Sequence, residues 1–122
     1  MAGIGIVFYL AGVKVATFSA IVEAKTNNEA EYLAVLQALT LVRQLKYEVD
    51  IIDVYSDSKL VINQLKGNWK INKGELKSLY DSIMFISMLC KDENFKYLNL
   101  HWVSRDDNQE ANDLAQNITE AS

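Results

Sequence analysis

Two strand-like apolar stretches up to Val22, followed by apolar residues about every 3.6 positions from Tyr32 onward, predict a β-hairpin that runs into a long helix. Ile4 to Leu10 and Val13 to Val22 read as two strands. Ala11-Gly12 joins them, with Gly12 free to take the positive φ of a tight turn. The helical pattern uses Tyr32, Val35, Leu36, Ala38, Leu39, Val42 and Leu45 and ends near Lys46. Its start, Thr26-x-x-Glu29, has capping-box spacing. That gives Glu29 a local structural task and leaves Glu31, two residues on, without one.

Ile51 to Tyr55 reads as a short buried parallel strand, with Asp57 just past its carboxyl end. A helix from Ser58 to Leu65 stops at Lys66-Gly67, and a second runs from about Lys73 to Cys90. Tyr97 to Val103 alternates as a strand, with Leu98, Leu100 and Trp102 on one side and Tyr97, Asn99 and His101 on the other. The last helix opens at Asp107-x-x-Glu110, again a capping box in form, and carries Asp113. The predicted order is strand, strand, helix, strand, helix, helix, strand, helix, an α/β arrangement over a single domain of residues 1–122. No apolar run nears the roughly 20 residues that span a bilayer, and the N-terminus lacks signal-peptide features, so the expectation is a cytoplasmic protein without a membrane partner. Cys90, the one cysteine, excludes a disulfide framework and reads as a buried thiol.

Three acids sit in distinct settings. Glu31 lies in Thr26-Asn27-Asn28-Glu29-Ala30-Glu31-Tyr32, Asp57 in Ser56-Asp57-Ser58, and Asp113 in Glu110-Ala111-Asn112-Asp113-Leu114-Ala115. Taken alone, Asp57 could be a helix N-cap, and Glu31 and Asp113 could be surface acids. Thr-Asn-Asn-x-Ala-Glu-Tyr, Ser-Asp-Ser after a strand, and the run from Trp102 to Ala115 resemble, in that order, the motifs of type 1 ribonuclease H, with Asn112 and Ser104 as departures in the third. The resemblance covers nearly the whole chain. It implies a ribonuclease H-like mixed sheet flanked by helices, from which the first strand, central in the family's sheet, is absent together with a catalytic Asp.

The resemblance further implies an endonuclease that hydrolyses the RNA strand of RNA/DNA hybrids by two-metal-ion catalysis, with Glu31, Asp57 and Asp113 as catalytic metal ligands. Clustered carboxylates suit Mg²⁺, or Mn²⁺ in its place, because these ions favour oxygen donors, and two such ions can create a nucleophilic water and hold charge on the leaving oxygen. Thr26, Asn27 and Asn28 are then expected to contact the hybrid at a helix N-terminus, where backbone N–H groups meet phosphate. Ser58, Asn63, Trp69, Lys70 and Arg105 follow as substrate-side candidates, while His101, within a strand, reads as structural.

A formal net charge of −4 lacks the basic signature of a nucleic-acid binder. The lysines are nevertheless concentrated: positions 59, 66, 70, 73 and 77 enclose one acid, Glu75, and Trp69. That stretch is either a solvated helix face or a phosphate-tracking patch. The rival to the nuclease is a catalytically impaired ribonuclease H-like module that holds nucleic acid or a protein. Without the central strand, two sheet edges stay unpaired, so the expectation is either that the natural product begins further upstream or that another segment fills the gap, as in a homodimer or a segment swap.

Overall fold

The computed structural model describes residues 1–72 and 74–121, with side chains described through residue 118. Lys73, placed by the sequence at the start of a helix and in the lysine stretch, lies outside the described residues. Strands β1 (Ala2–Leu10) and β2 (Val13–Val22) form the hairpin, followed by helix α1 (Asn27–Gln44), strand β3 (Ile51–Ser56), helices α2 (Lys59–Leu65) and α3 (Glu75–Cys90), strand β4 (Tyr97–Trp102), a 3₁₀ turn (Asp106–Asn108) and helix α4 (Gln109–Ala121). Ala11 and Gly12 both take positive φ, as the two-residue connection requires.

Both kinds of pairing occur, as a mixed architecture demands, but in separate ladders. β1 pairs antiparallel with β2, and β3 pairs parallel with β4 across the α2–α3 connection. Among the described residues no ladder joins β1 to β3, so each keeps one edge without a strand partner.

Helix α1 is the spine. Its buried side chains Tyr32, Val35, Leu39 and Val42 meet Val61 and Leu65 of α2 and Ile83 and Cys90 of α3 in one apolar cluster, completed by Phe95. Each such residue, once buried, contributes about 1.5–3 kcal/mol relative to its exposed state. Cys90 is fully buried and its thiol is pushed above the usual range by that burial, as a structural cysteine should be. At the far end of the helix, Arg43 donates to the carbonyl of Leu89 at 2.8 Å and pairs with Glu93, tying α1 to the end of α3.

Two local expectations change. β3 was expected to be buried on both faces, yet Ile51 and Tyr55 are about half exposed, because α4 packs over β1 and β2 and leaves that face of β3 open. The Asp107–Glu110 capping box is absent as well. Ser104, just ahead of the 3₁₀ turn, accepts the Asp107 N–H through its backbone and side-chain oxygens, while Glu110 reaches across to the hairpin. There Glu110 accepts from Tyr9 Oη at 2.8 Å and pairs with Lys14 at 2.9 Å.

Contact between α4 and β1 is closest at Gly5, where a Cβ would collide with the backbone carbonyl of Ala111 and come within 2.8 Å of Ala115 N. Neither obstacle is a flexible side-chain tip, so relief requires moving the helix. Gly5→Ala is expected to destabilise the protein by about 1–3 kcal/mol or more, read as a lower midpoint in thermal denaturation. An unchanged midpoint would contradict this packing.

Candidate active site

Glu31 reaches its position because its neighbours on α1 are committed elsewhere. Thr26 is the N-cap and accepts the Glu29 N–H at 3.2 Å, and Glu29 folds back so that Oε2 accepts the Lys25 N–H at 2.9 Å. The reciprocal cap is therefore formed one residue upstream of the usual partner. Tyr32 is fully buried and donates to Gln64 Oε1 at 2.6 Å, and burial pushes its phenol up to about 12. With Glu29 held at the cap and Tyr32 held in the core, Glu31 between them turns toward the carboxyl end of β3.

Asp57 sits there, at the junction of β3 and α2, the kind of strand end where open α/β folds bind ligands. It is not a helix cap. Ser58 is the N-cap of α2, its Oγ accepting the Val61 N–H at 3.2 Å. Buried Ser56 accepts the Ser58 N–H and donates to Glu31 Oε2 at 3.5 Å, a long bond that links the two acidic positions. Burial raises the Glu31 pKa, and the nearby Asp57 charge raises it further, against opposing pulls from Ser56 and the Arg105 guanidinium. Two acids that feel each other in this way form a common electrostatic site.

Asp113 does not join them. It is exposed on α4 and accepts from Gln109 Nε2 at 2.7 Å, one helical turn back on the same helix. The α4 residue at the site is its neighbour Asn112, whose Nδ2 donates to Asp57 Oδ2 at 3.0 Å and lies 3.4 Å from the carbonyl of Arg105. Among the described residues no cluster of three His, Cys, Asp or Glu side chains is placed to hold a metal ion, so the expected three-carboxylate convergence is corrected to two carboxylates and an amide. Helix geometry gives the reason. Gln109, Asp113 and Gln116 are all exposed and share one α4 face, while Ala111, Leu114, Ala115 and Ile118 point inward and Asn112 flanks that inner stripe. Counting the apolar stripe outward from Leu114 is the signal that would have singled out Asn112 from sequence.

The donors present fit an oxygen-seeking divalent ion, because Mg²⁺ commonly takes one or two carboxylates and keeps its other positions for water or phosphate. Glu31 and the free oxygen of Asp57 would hold it. Beside Glu31 is a small cavity of about 40 Å³ lined by Gly3, Gly5, Ala30, Ala111 and Asn112, among others.

The remaining candidates lie around this centre. Asn27 and Asn28 are exposed at the start of α1, beside a groove of about 480 Å³ that runs from Thr26 and Asn28 to Gln64, Asn72 and Glu75. Thr26 and Ser58 use their hydroxyls as caps. Asn63 is likewise occupied locally: it donates to Lys59 O and accepts from Asn68, shaping the turn that presents Trp69. Lys66, Trp69 and Lys70 are exposed, and Lys66 and Lys70 form no ion pair among the described residues. Lys77 is instead paired with Asp81, and Lys59 lies over the Trp102 ring. His101 bonds Asp53 at 2.8 Å and stacks on Tyr55, away from the acidic pair.

A capped helix that carries an acid to the end of a parallel strand, beneath a hairpin clasped by the last helix, defines the ribonuclease H-like class of α/β folds. Residues 1–118 match the family described as reverse transcriptase-like. The chain is similar to ribonuclease H1 of Halobacterium salinarum (27% identity, TM-score 0.86, covering 98% of this chain and 86% of that one). It is also similar to the N-terminal ribonuclease H domain of Rv2228c from Mycobacterium tuberculosis (30% identity, TM-score 0.83, covering 98% and 82%). A third structure, LC11-RNase H1 in complex with an RNA/DNA hybrid, matches at 29% identity with a TM-score of 0.84, covering 94% and 83%. The uncharacterized protein YpeP of Bacillus subtilis is 37% identical over 77% of this chain. The chain belongs to the ribonuclease H family. It spans 40% of YpeP and 25% of the bifunctional protein Rv2228c, two of the curated relatives it matches.

The raised Glu31 pKa has a definite sign in stability. The folded protein holds this proton to higher pH than the unfolded chain does, so the contribution is fully present below the ordinary carboxylate range and is lost as pH rises through the raised folded value. In EDTA, Glu31→Gln is expected to melt higher than the parent protein at neutral pH and to match it below about pH 4, where the parent carboxyl is mostly neutral in both states. Equal melting temperatures across the whole range would contradict a desolvated Glu31.

Proposed function

We propose that the protein is a ribonuclease H-type hydrolase acting on RNA/DNA hybrids. The observation that carries this reading is the Glu31–Asp57 pair, brought to the end of β3 by α1 and set beside exposed Asn27 and Asn28. A bound divalent ion supplies a nucleophilic water and neutralises charge on the leaving oxygen. Glu31 and Asp57 would hold and orient it, and Arg105, whose charge reaches Glu31, would meet a phosphate. Asn27 and Asn28 can donate to and accept from the minor-groove edge, and the 2′-hydroxyl marks the RNA strand. The hybrid bound by the LC11 relative supports the choice of substrate class.

A second reading, a module that binds hybrids with little or no cleavage, is favoured by one observation: the third side chain at the site is an amide, Asn112, where a carboxylate was expected. Incubation with an end-labelled RNA/DNA hybrid and Mg²⁺ separates the two. The nuclease reading expects cleavage of the RNA strand that is lost in Asp57→Asn and in EDTA. Binding without cleavage supports the second reading, and absence of both sinks the family function for this chain.

Lys66, Trp69 and Lys70 form the proposed backbone track, since phosphate contacts carry affinity without reading bases. The double variant Lys66→Ala/Lys70→Ala is expected to weaken hybrid binding equally across sequences and to flatten its salt slope by roughly one to two units. An unchanged slope returns the patch to a solvated face. The free edges of β1 and β3 are proposed to recruit an extended segment from a second copy, giving a homodimer or a segment swap. Sedimentation velocity over a concentration series is expected to show association, and a monomer throughout would contradict it.

A further inference from the structure

We infer that Asn112 is the positioning residue of the acidic pair: its amide pins one oxygen of Asp57 and thereby restricts the site to a single divalent cation. This rests on the metal-dependent reading above and adds to it a determinant of stoichiometry. The orientation of the amide is fixed by chemistry. Nδ2 faces Asp57 Oδ2 at 3.0 Å and the Arg105 carbonyl at 3.4 Å, both of which only accept, so turning the amide over would set oxygen against oxygen twice. The amide nitrogen therefore lies between two acceptors. That leaves the other oxygen of Asp57 for a ligand, in a site whose charge Glu31 already feels.

The consequence is a site whose anionic ligands come from α1 and from the end of β3, with α4 contributing a neutral clamp. An oxygen held by a hydrogen bond is poorly available to bridge a second ion, and an amide adds no charge to offset one.

Mn²⁺ binding to the full chain, followed by the EPR signal of the free ion, tests this without reference to catalysis. The parent protein is expected to bind one Mn²⁺, lost in Asp57→Asn. Asn112→Ala removes the clamp and is expected to weaken binding about tenfold, as loss of a partner that orients a ligand does. Asn112→Asp places a carboxylate against Asp57 and is expected to tighten binding about tenfold or to admit a second ion. In EDTA it should melt below the parent protein and recover when Mn²⁺ is added, a rescue that a purely structural amide would not produce. Equal affinity and stoichiometry in the parent and both Asn112 variants overturn the inference while leaving the metal site standing. Absence of Mn²⁺ binding to the parent protein overturns both, and hybrid binding measured in EDTA then reports separately on the nucleic-acid function.

Discussion

The anchoring of Tyr32 is the interaction on which the rest depends. Its ring is fully buried in the cluster shared by α1, α2 and α3, and its hydroxyl ends on Gln64, itself a buried residue of α2. A buried polar group needs its partner, because leaving one unsatisfied costs about 1–3 kcal/mol, so the rotation of α1 about its own axis is set by this bond as much as by its apolar face. Glu31 is the adjacent residue. Fixing Tyr32 inward fixes the direction of Glu31, and the core thereby specifies the site.

The second constraint is the split sheet. The hairpin and the β3–β4 pair are not joined through a ladder among the described residues, so their relation rests on helices: α1 bridges to β1, and α4 lies on β1 and β2 with its side chains reaching Asp57. Gly5 allows that helix to approach, while the Glu110 contacts with Tyr9 and Lys14 hold its first turn against the hairpin. The Asn112–Asp57 bond consequently does two things. It closes the site, and it connects the last helix to the end of β3.

Much of this was legible in the sequence where one local rule dominated. The hairpin followed from two strand patterns joined at Gly12, and the separation of Glu29 from Glu31 followed from cap spacing; the structure forms both. The rest depended on which elements touch. Asp107 and Glu110 have capping-box spacing, but a salt bridge to Lys14 and a bond from Tyr9, more than ninety residues away, claim Glu110. Ile51 and Tyr55 look like buried strand residues, but burial on both faces requires a second layer that α4 provides only to the hairpin. At the site itself, Asp113 is the more tempting residue by chemistry and Asn112 the correct one by geometry. A step of one residue on a helix turns the side chain by about 100°, and only the apolar stripe says which way the helix faces.

The central claim is that the acidic centre is built from Glu31 and Asp57 with Asn112 beside them, and that Asp113 faces solvent. Crystals soaked in Mn²⁺ and measured at a wavelength where manganese scatters anomalously test it most directly. The account expects one anomalous peak, within coordination distance of Glu31 and Asp57 and with the Asn112 amide still bonded to Asp57. A peak coordinated by Asp113, or two peaks bridged by Asp57, would contradict it.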